Sequence, residues 1–209
     1  MESLGMALLY IPVVILSLAV HEFAHAWLAD SLGDPTPSQY GRVTLNPLAH
    51  LDPIGTLVII FSILNPGMGI IPGWGKPVPV NPNYMRNSRW GDILVSAGGP
   101  ISNLLLAALF AVGLHLVRGS LDSAAAIFTI FIVVNISLAL FNLIPIPPLD
   151  GSHVLKQLLP LQAHYSLVDF ERRNPFLFPI LLIVLLNIGA FNLILGPPFQ
   201  FLLSLAGVL

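Results

Sequence analysis

Two histidines and a glutamate stand close together near the start of the chain. His21, Glu22 and His25 form the pattern H-E-x-x-H inside an apolar run over residues 4–29. On a helix, residues four apart share a face, so both imidazoles point the same way. Two imidazoles at that spacing can hold one zinc ion, and a glutamate beside them lies where a general base is expected. The pattern therefore predicts a zinc site with His21 and His25 as ligands and Glu22 as the base.

The composition places this site in a membrane protein. The chain has 209 residues, of which 56% are hydrophobic and 9% charged, and its mean hydropathy is +0.86. Soluble domains carry roughly a quarter charged residues. We expect one domain over residues 1–209, embedded in the lipid bilayer. The absence of cysteine excludes thiolate metal ligands, and the net charge of −2 does not suggest a nucleic acid partner.

Apolar runs and the breaks between them predict an all-α polytopic membrane protein with four to five transmembrane helices. The clear spans are residues 4–29, 92–117, 124–144 and 176–194, where Gly196-Pro197-Pro198 ends the last one. The run from Ile54 to Leu64 is short and is broken by Asn65-Pro66-Gly67, which favours a re-entrant segment. Residues 39–45 favour a short β-hairpin or extended element, because they are rich in residues that prefer extended backbone.

Other polar residues are weaker candidates for a site. His50, Asp52 and His153 are secondary candidates, and an ordinary polar or interfacial role suits the histidines better. Asn103 can hydrogen-bond across helices beside a glycine pair that lets another backbone approach closely. Asp150 follows a proline-rich segment that stops a helix, where it forms part of a site or an ordinary Asp-Gly turn.

Three segments together resemble the site-2 protease family of intramembrane zinc metalloproteases, in its short form without a PDZ domain. They read H-E-F-A-H over residues 21–25, G-P-I-S-N over residues 99–103 and N-L-I-P-I-P-P-L-D-G over residues 142–151. The resemblance covers nearly the whole chain. It implies that Asp150 is the third zinc ligand and that Asn142 lies near the reaction centre. It also implies that the substrate is a transmembrane segment of another protein, cleaved in regulated intramembrane proteolysis.

A shared metal constrains the topology. The H-E-x-x-H lies toward the end of the first span, and Asp150 lies past the end of the span over residues 124–144, so both helices must run in the same direction. They do so if the stretch from Ile54 to Pro72 dips into the membrane and returns. If that stretch crosses, Asp150 lies roughly 30 Å away on the other face. The re-entrant arrangement places every Lys and Arg except Arg118 on one side. The positive-inside rule then predicts a multi-pass protein of the cell membrane with its site nearer the cytoplasmic face.

The predicted reaction is peptide hydrolysis within the membrane. Glu22 would take a proton from the attacking water, and the Asn142 amide would help to stabilise the developing oxyanion. An edge strand at residues 39–45 or 78–80 could pair with an unwound substrate.

Two other classes of protein remain open at this stage. A proton or metal-ion transporter could use the same buried His, Glu and Asp side chains, although the sequence has no visible internal repeat. A proteolytically inactive membrane scaffold would have no need of Glu22. No pattern in the sequence predicts the substrate's identity or the oligomeric state.

Overall fold

The computed structural model of the chain describes residues 2–65, 73–117 and 122–209, and these residues are predominantly helical. The helices in chain order are α1 Glu2–Ser31, α2 Thr36–Gln39, α3 Pro53–Leu64, α4 Ser88–Val117, α5 Asp122–Asn142, α6 Asp150–Leu158, α7 Leu161–Arg173, α8 Leu177–Asn187 and α9 Ala190–Leu205. Two 3-10 turns, Pro47–Ala49 and Pro82–Tyr84, lie in the connecting segments. The predicted all-α class is confirmed.

Three helical segments are long and apolar enough to cross a bilayer: Leu8–Ser31, Ser88–Val117 and Ser123–Asn142. A fourth is added if α8 and α9, which meet at 70°, are counted as one bent span. The described residues therefore contain three to four candidate spans, where the sequence predicts four to five. Several apolar helices of this length make the chain a multi-pass membrane protein.

The long helices α1, α4 and α5 pack against one another and form the centre of the molecule. Ala107 of α4 packs with Ile132 and Ile136 of α5 in one buried cluster. Val13 of α1 packs with Val134 of α5 in another. Hydrocarbon tails are as apolar as these side chains, so close packing and interhelical hydrogen bonds, not exclusion from water, hold such helices together.

The last apolar stretch differs from the single span predicted over residues 176–194. After α8, Gly189 adopts a left-handed backbone with φ 72°, a conformation that favours glycine. α9 then continues through Pro197 and Pro198, where the sequence predicts a break. Prolines are tolerated in helices of membrane proteins because neighbouring groups can satisfy the freed backbone carbonyls. The bend therefore lies at the glycine and not at the prolines.

The β-hairpin predicted over residues 39–45 is wrong. No strand occurs in the part of the chain that the structure describes, and this region begins with the short helix α2. Backbone donors are used locally: the N–H of Tyr40 donates to Thr36 O at 3.2 Å, and that of Arg42 donates to Pro37 O at 2.8 Å. Proline at the first turn favours a helical start. Local turn chemistry thus outweighs the preference of Tyr40, Val43 and Thr44 for extended backbone.

The residues before α3 lie next to the residues at 75–76 that follow it in the chain. Part of the predicted re-entrant stretch, residues 66–72, lies outside the described residues. Beyond it, Gly75 forms an antiparallel backbone bridge with Leu51. The N–H of Lys76 donates to His50 O at 2.8 Å. The residues that precede α3 are therefore hydrogen-bonded to those that return after it.

The proline-rich segment after α5 ends that helix, as predicted. α5 stops at Asn142, and Leu149 is extended with ψ 155° before α6 begins at Asp150. Asp150 is thus the first residue of a helix and not part of an extended segment. α6 packs on the N-terminal part of α4, where Gln157 Nε2 donates to Asp92 Oδ2 at 2.7 Å. This packing directs the first turn of α6 toward α1.

Candidate metal centre

Three side chains from two distant parts of the chain converge on one point. His21 and His25 lie one turn apart on α1, with their Nε2 atoms 3.1 Å apart. Asp150 Oδ2 lies 3.1 Å from the Nε2 atom of His21 and 3.4 Å from that of His25. Both histidines are buried, and Asp150 is half-buried. These three residues form a group that can hold a metal ion.

The spacing of the three atoms fits zinc. Ligand atoms about 2.0–2.1 Å from a tetrahedral zinc ion lie roughly 3.3–3.4 Å from one another. The observed separations of 3.1–3.4 Å match this triangle. Asp150 Oδ2 is buried without a hydrogen-bond partner among the residues that the structure describes. A buried carboxylate oxygen that faces the Nε2 lone pairs of two neutral imidazoles is an unfavourable arrangement unless a cation lies between them.

The rear nitrogen of each imidazole has an acceptor. His21 Nδ1 donates to Asn103 Oδ1 at 2.6 Å, and His25 Nδ1 donates to Val95 O at 2.7 Å. A proton on Nδ1 leaves the lone pair of a neutral imidazole on Nε2. Hydrogen bonds of this kind orient metal-binding histidines and raise their basicity. Both Nε2 atoms therefore face the centre as metal ligands would.

The charge on Asp150 suits the same role. Burial alone raises the pKa of this carboxyl, but the neighbouring side chains of His21 and His25 lower it by more. The pKa of Asp150 is therefore held well below its usual range. The carboxylate is ionised at neutral pH, which is the form that binds a metal.

Gly99 of α4 lies directly against the two imidazoles. A Cβ atom at this position would be 2.5 Å from His25 Nε2 and 2.5 Å from His21 Cε1. Such distances are far inside van der Waals contact. The absence of a side chain here lets α4 approach the face of α1 that carries His21 and His25, as the glycine pair in the sequence predicts.

Glu22 and Asn142 border the same cavity as the cluster. This cavity has a volume of about 1030 Å³. Asn142 Nδ2 donates to Leu138 O at 3.0 Å, which places the amide at the end of α5. The apolar wall is formed by Leu18, Leu138, Phe141 and Leu182, and the polar end by Asp92, His153, Lys156 and Gln157. The cavity therefore has a mainly apolar lining with a small group of polar side chains.

The secondary candidates have structural partners outside the cluster. His50 is buried with Nε2 2.8 Å from Thr44 O. Asp52 caps α3, since its Oδ1 accepts the N–H groups of Ile54 and Gly55 at 3.0 and 2.8 Å. His153 Nδ1 lies 3.9 Å from Asp92 Oδ2 at the polar end of the cavity. His50 and Asp52 thus stabilise the segments around α3.

Sequence reasoning missed part of the polar network behind His21. Asn103 does form the cross-helix hydrogen bonds expected of it, but no role was predicted for Asn135, to whose Oδ1 atom it donates at 2.7 Å. Ser17 was not noticed, although it lies four residues before His21 and therefore on the same face of α1. All three are completely buried. The signal available in the sequence was their position inside apolar spans, where polar side chains form interhelical hydrogen bonds.

Comparisons with known proteins point to one family. The model of Peptidase family M50 matches residues 118–186, a stretch that includes Asn142 and Asp150. YwhC of Bacillus subtilis, which is named as a zinc metalloprotease, is 35% identical over 178 residues, covering 81% of this chain and 78% of that protein. Rip2 of Mycolicibacterium smegmatis, also named as a zinc metalloprotease, is 32% identical over 187 residues, covering 88% and 70%. No solved structure matches the chain.

Proposed function

This chain belongs to Peptidase family M50, the site-2 protease family of intramembrane zinc metalloproteases, and we propose that His21, His25 and Asp150 hold its zinc ion. The protein is an intramembrane zinc metalloprotease, and a transporter function is not favoured. One observation carries the assignment of the ligands. Two Nε2 atoms and a buried carboxylate oxygen lie within 3.4 Å of one another, and that oxygen has no hydrogen-bond partner in the described part of the chain.

The proposed roles of the remaining residues follow from their places around the cavity. Zinc, when bound, supplies a Lewis acid that activates water and polarises the scissile carbonyl. Glu22 follows His21 directly and borders the cavity. It accepts the proton of the attacking water and passes it to the leaving amine. Asn142 Nδ2 has a second N–H besides the one that donates a hydrogen bond to Leu138 O. This second N–H donates a hydrogen bond to the substrate's carbonyl oxygen as negative charge develops there.

The family acts on membrane-embedded substrates in a lipid environment, and we propose a transmembrane segment of another protein as the substrate of this chain. The apolar wall of the cavity suits such a segment. Cleavage requires the substrate helix to unwind locally, because helical amides are hydrogen-bonded within the helix and shielded from attack. An unwound segment then needs new partners for its backbone groups.

The extended residues 76–81 are the proposed partner for the unwound substrate. They are held at both ends, since the N–H of Lys76 donates to His50 O at 2.8 Å and that of Asn81 donates to Asp34 Oδ2 at 2.6 Å. Val78 and Val80 both border the cavity, whereas Pro79 between them does not. Alternate residues facing one side are typical of a strand, so a substrate could add to this segment as a second strand. The other predicted strand, residues 39–45, is absent and is not proposed for this role.

We propose that α3 and the residues after it form a re-entrant segment on the cytoplasmic side. The bridge between Leu51 and Gly75 supports a return to the same face. Basic residues gather at the end of the bundle that carries the site. The N–H of Arg86 donates to Leu32 O at 3.4 Å, and Arg89 Nε donates to Gln157 O at 2.5 Å. Arg118 lies outside the described residues. By the positive-inside rule this end faces the cytoplasm.

The site also supports one domain over residues 1–209. α1 supplies two ligands, α4 holds them from behind, and the junction of α5 with α6 supplies the third. Because the proposed centre needs helices from the first and last thirds of the chain, neither part would form it alone.

Zinc content and cleavage, measured together, test these assignments. In purified full-length protein, Glu22→Gln is expected to keep about one zinc ion per chain and to lose roughly 10²–10⁴-fold in cleavage of a model transmembrane substrate, because the base is removed and the ligands remain. Asp150→Ala is expected to lose both metal and cleavage. Asn142→Ala is expected to keep the zinc and to lower kcat roughly 10²-fold.

Asp169→Ala provides the matched control for Asp150→Ala. Asp169 is a carboxylate on the outer face of α7, paired with Arg173 at 2.8 Å. Its variant is expected to keep both zinc and activity. Full metal content in Asp150→Ala would show that the third ligand is elsewhere. Cleavage by Glu22→Gln at the wild-type rate would show that Glu22 is not the general base.

A further inference from the structure

Three fully buried polar residues join the long helices behind the metal centre. Ser17 of α1, Asn103 of α4 and Asn135 of α5 are each 0% exposed. Ser17 and Asn135 have no role in the mechanism proposed above, and Asn103 enters it only as the partner of His21. Polar groups buried at this depth are costly unless they are fully hydrogen-bonded, and a complete network fixes its members in one arrangement.

Each side-chain amide of this network has its partners. Asn135 Nδ2 donates to Phe131 O at 2.9 Å and to Ser17 Oγ at 2.8 Å. Asn103 Nδ2 donates to Asn135 Oδ1 at 2.7 Å and to Ser17 O at 3.3 Å. Asn103 Oδ1 accepts from His21 Nδ1 at 2.6 Å. The hydrogen bonds therefore run without a break from α5 through α4 to the histidine.

A backbone carbonyl sets the direction of this chain of hydrogen bonds. Phe131 O can only accept, so Asn135 must turn its amide nitrogen toward it and its amide oxygen toward Asn103. Asn103 must then donate to that oxygen, which leaves its own oxygen for His21. An acceptor at this position requires the proton of His21 to be on Nδ1, and the lone pair to be on Nε2. Nε2 is the atom that lies 3.1 Å from Asp150 Oδ2.

We propose that Asn135 is a positioning residue of the metal centre, which acts through Asn103. It orients the Asn103 amide, and that amide selects the form of His21 whose Nε2 can bind the metal. His25 differs because its Nδ1 donates to a backbone carbonyl, Val95 O, which no side-chain substitution removes. This inference rests on the proposed role of His21 as a zinc ligand.

A double-mutant cycle on zinc affinity tests the proposal without any measurement of cleavage. Zinc affinity is measured on the purified full-length chain by competition with a chelator of known affinity. Asn103→Leu is expected to weaken zinc binding roughly 10–100-fold, the usual effect of removing the partner of a metal-binding histidine. Asn135→Leu is expected to weaken it roughly 10-fold, because only the longer hydrogen bond to Ser17 O, at 3.3 Å, then orients the Asn103 amide. The double variant is expected to bind zinc as Asn103→Leu does, since the effect of Asn135 passes through Asn103.

Ile132→Ala separates positioning from loss of stability. Ile132 is also 0% exposed, lies on α5 one turn before Asn135, and has a hydrocarbon side chain. Its truncation destabilises the bundle by leaving a cavity but leaves the hydrogen bonds in place, so zinc affinity is expected to stay at the wild-type value. An equal loss of zinc affinity in Ile132→Ala would overturn the proposal. So would additive effects of the two asparagine variants.

Ser17→Ala keeps the test decisive if Asn135→Leu does not fold. It removes one of the two acceptors of Asn135 Nδ2 and leaves both amides present. Its zinc affinity is expected to lie between those of wild type and Asn103→Leu. Suppose that Ser17→Ala and Asn103→Leu both fold and both bind zinc with wild-type affinity, while Asp150→Ala loses its zinc. This result would overturn the positioning role of Asn135 and leave the proposed ligand set intact. Retention of zinc by Asp150→Ala would instead contradict the proposed ligand set.

Discussion

At the scale of single residues, Gly99 leaves no room for a side chain beside the proposed metal centre. The proposed ligand atoms of α1 face α4 at a point where only a hydrogen atom fits, because a Cβ at Gly99 would lie 2.5 Å from His25 Nε2. The neighbouring Gly98 differs. A Cβ there would meet Leu28 Cδ1 at 2.2 Å, and the next atom is 3.6 Å away. The terminal methyl of a leucine can rotate away, whereas an imidazole held by hydrogen bonds on Nδ1 cannot.

Gly99→Ala is therefore expected to abolish zinc binding and cleavage in a protein that still folds. The physical reason is displacement of both imidazoles from the positions in which they share a metal. Elemental analysis of the purified variant, with gel filtration in detergent as the measure of folding, checks this result.

Gly98→Ala is the matched control for that substitution. It adds the same methyl group one residue away and is expected to keep about one zinc ion per chain. Wild-type zinc content in Gly99→Ala, or equal loss in both variants, would contradict the importance of close approach at Gly99.

At the scale of elements, a buried arginine fixes the extended segment over residues 76–81, which is the proposed partner of the substrate. Arg42 is 3% exposed, and its guanidinium donates to Ala49 O, Lys76 O and Pro77 O, the last at 2.7 Å. Burial lowers the pKa of this guanidinium, and the charge of Glu22 opposes that shift. A buried arginine that holds three carbonyls fixes the start of the extended segment on the wall of the cavity.

Strand addition predicts an alternating pattern of substrate cross-links. The chain has no cysteine, so single cysteines at Val78, Pro79 and Val80 can be introduced in a Glu22→Gln background that binds substrate without cleaving it. Val78→Cys and Val80→Cys are expected to form disulfides with cysteines in the substrate, because these positions border the cavity. Pro79→Cys is expected to react much less. Equal reaction at all three positions, or at none, would argue against a paired strand.

At the scale of the whole molecule, the proposed topology makes two loops share a face. Leu48 and Tyr84 are 77% and 60% exposed and lie before and after the proposed re-entrant segment. Ser123 is exposed at the opposite end of the bundle, where α5 begins. A stretch from Ile54 to Pro72 that crossed the membrane would put Leu48 and Tyr84 on opposite faces.

Labelling of single cysteines in intact cells distinguishes the two arrangements. A membrane-impermeant maleimide is expected to label Ser123→Cys but neither Leu48→Cys nor Tyr84→Cys until the cells are permeabilised. Labelling of only one of Leu48→Cys and Tyr84→Cys in intact cells would overturn the re-entrant arrangement. Labelling of both, with protection of Ser123→Cys, would keep the re-entrant segment but reverse the proposed orientation.

The sequence alone determined those features that lie within one helix. The spacing of His21 and His25 places them on one face because an α-helix repeats every 3.6 residues. Apolar runs likewise predicted the long helices, since backbone groups in lipid must be satisfied within the segment. The helical course of residues 36–39 was not predicted, because a proline in the first turn favours a helical start there.

Tertiary structure alone decided what lies between helices. That Asp150 meets α1 depends on the relative direction of α1 and α5 and on the packing of α6 against α4. The chain of hydrogen bonds from Phe131 O to His21 depends on three helices that no local pattern relates. Residue types predict which groups can bind or donate. Only packing decides which atoms come within 3 Å of one another, because a contact between distant segments is set by the arrangement of the whole bundle.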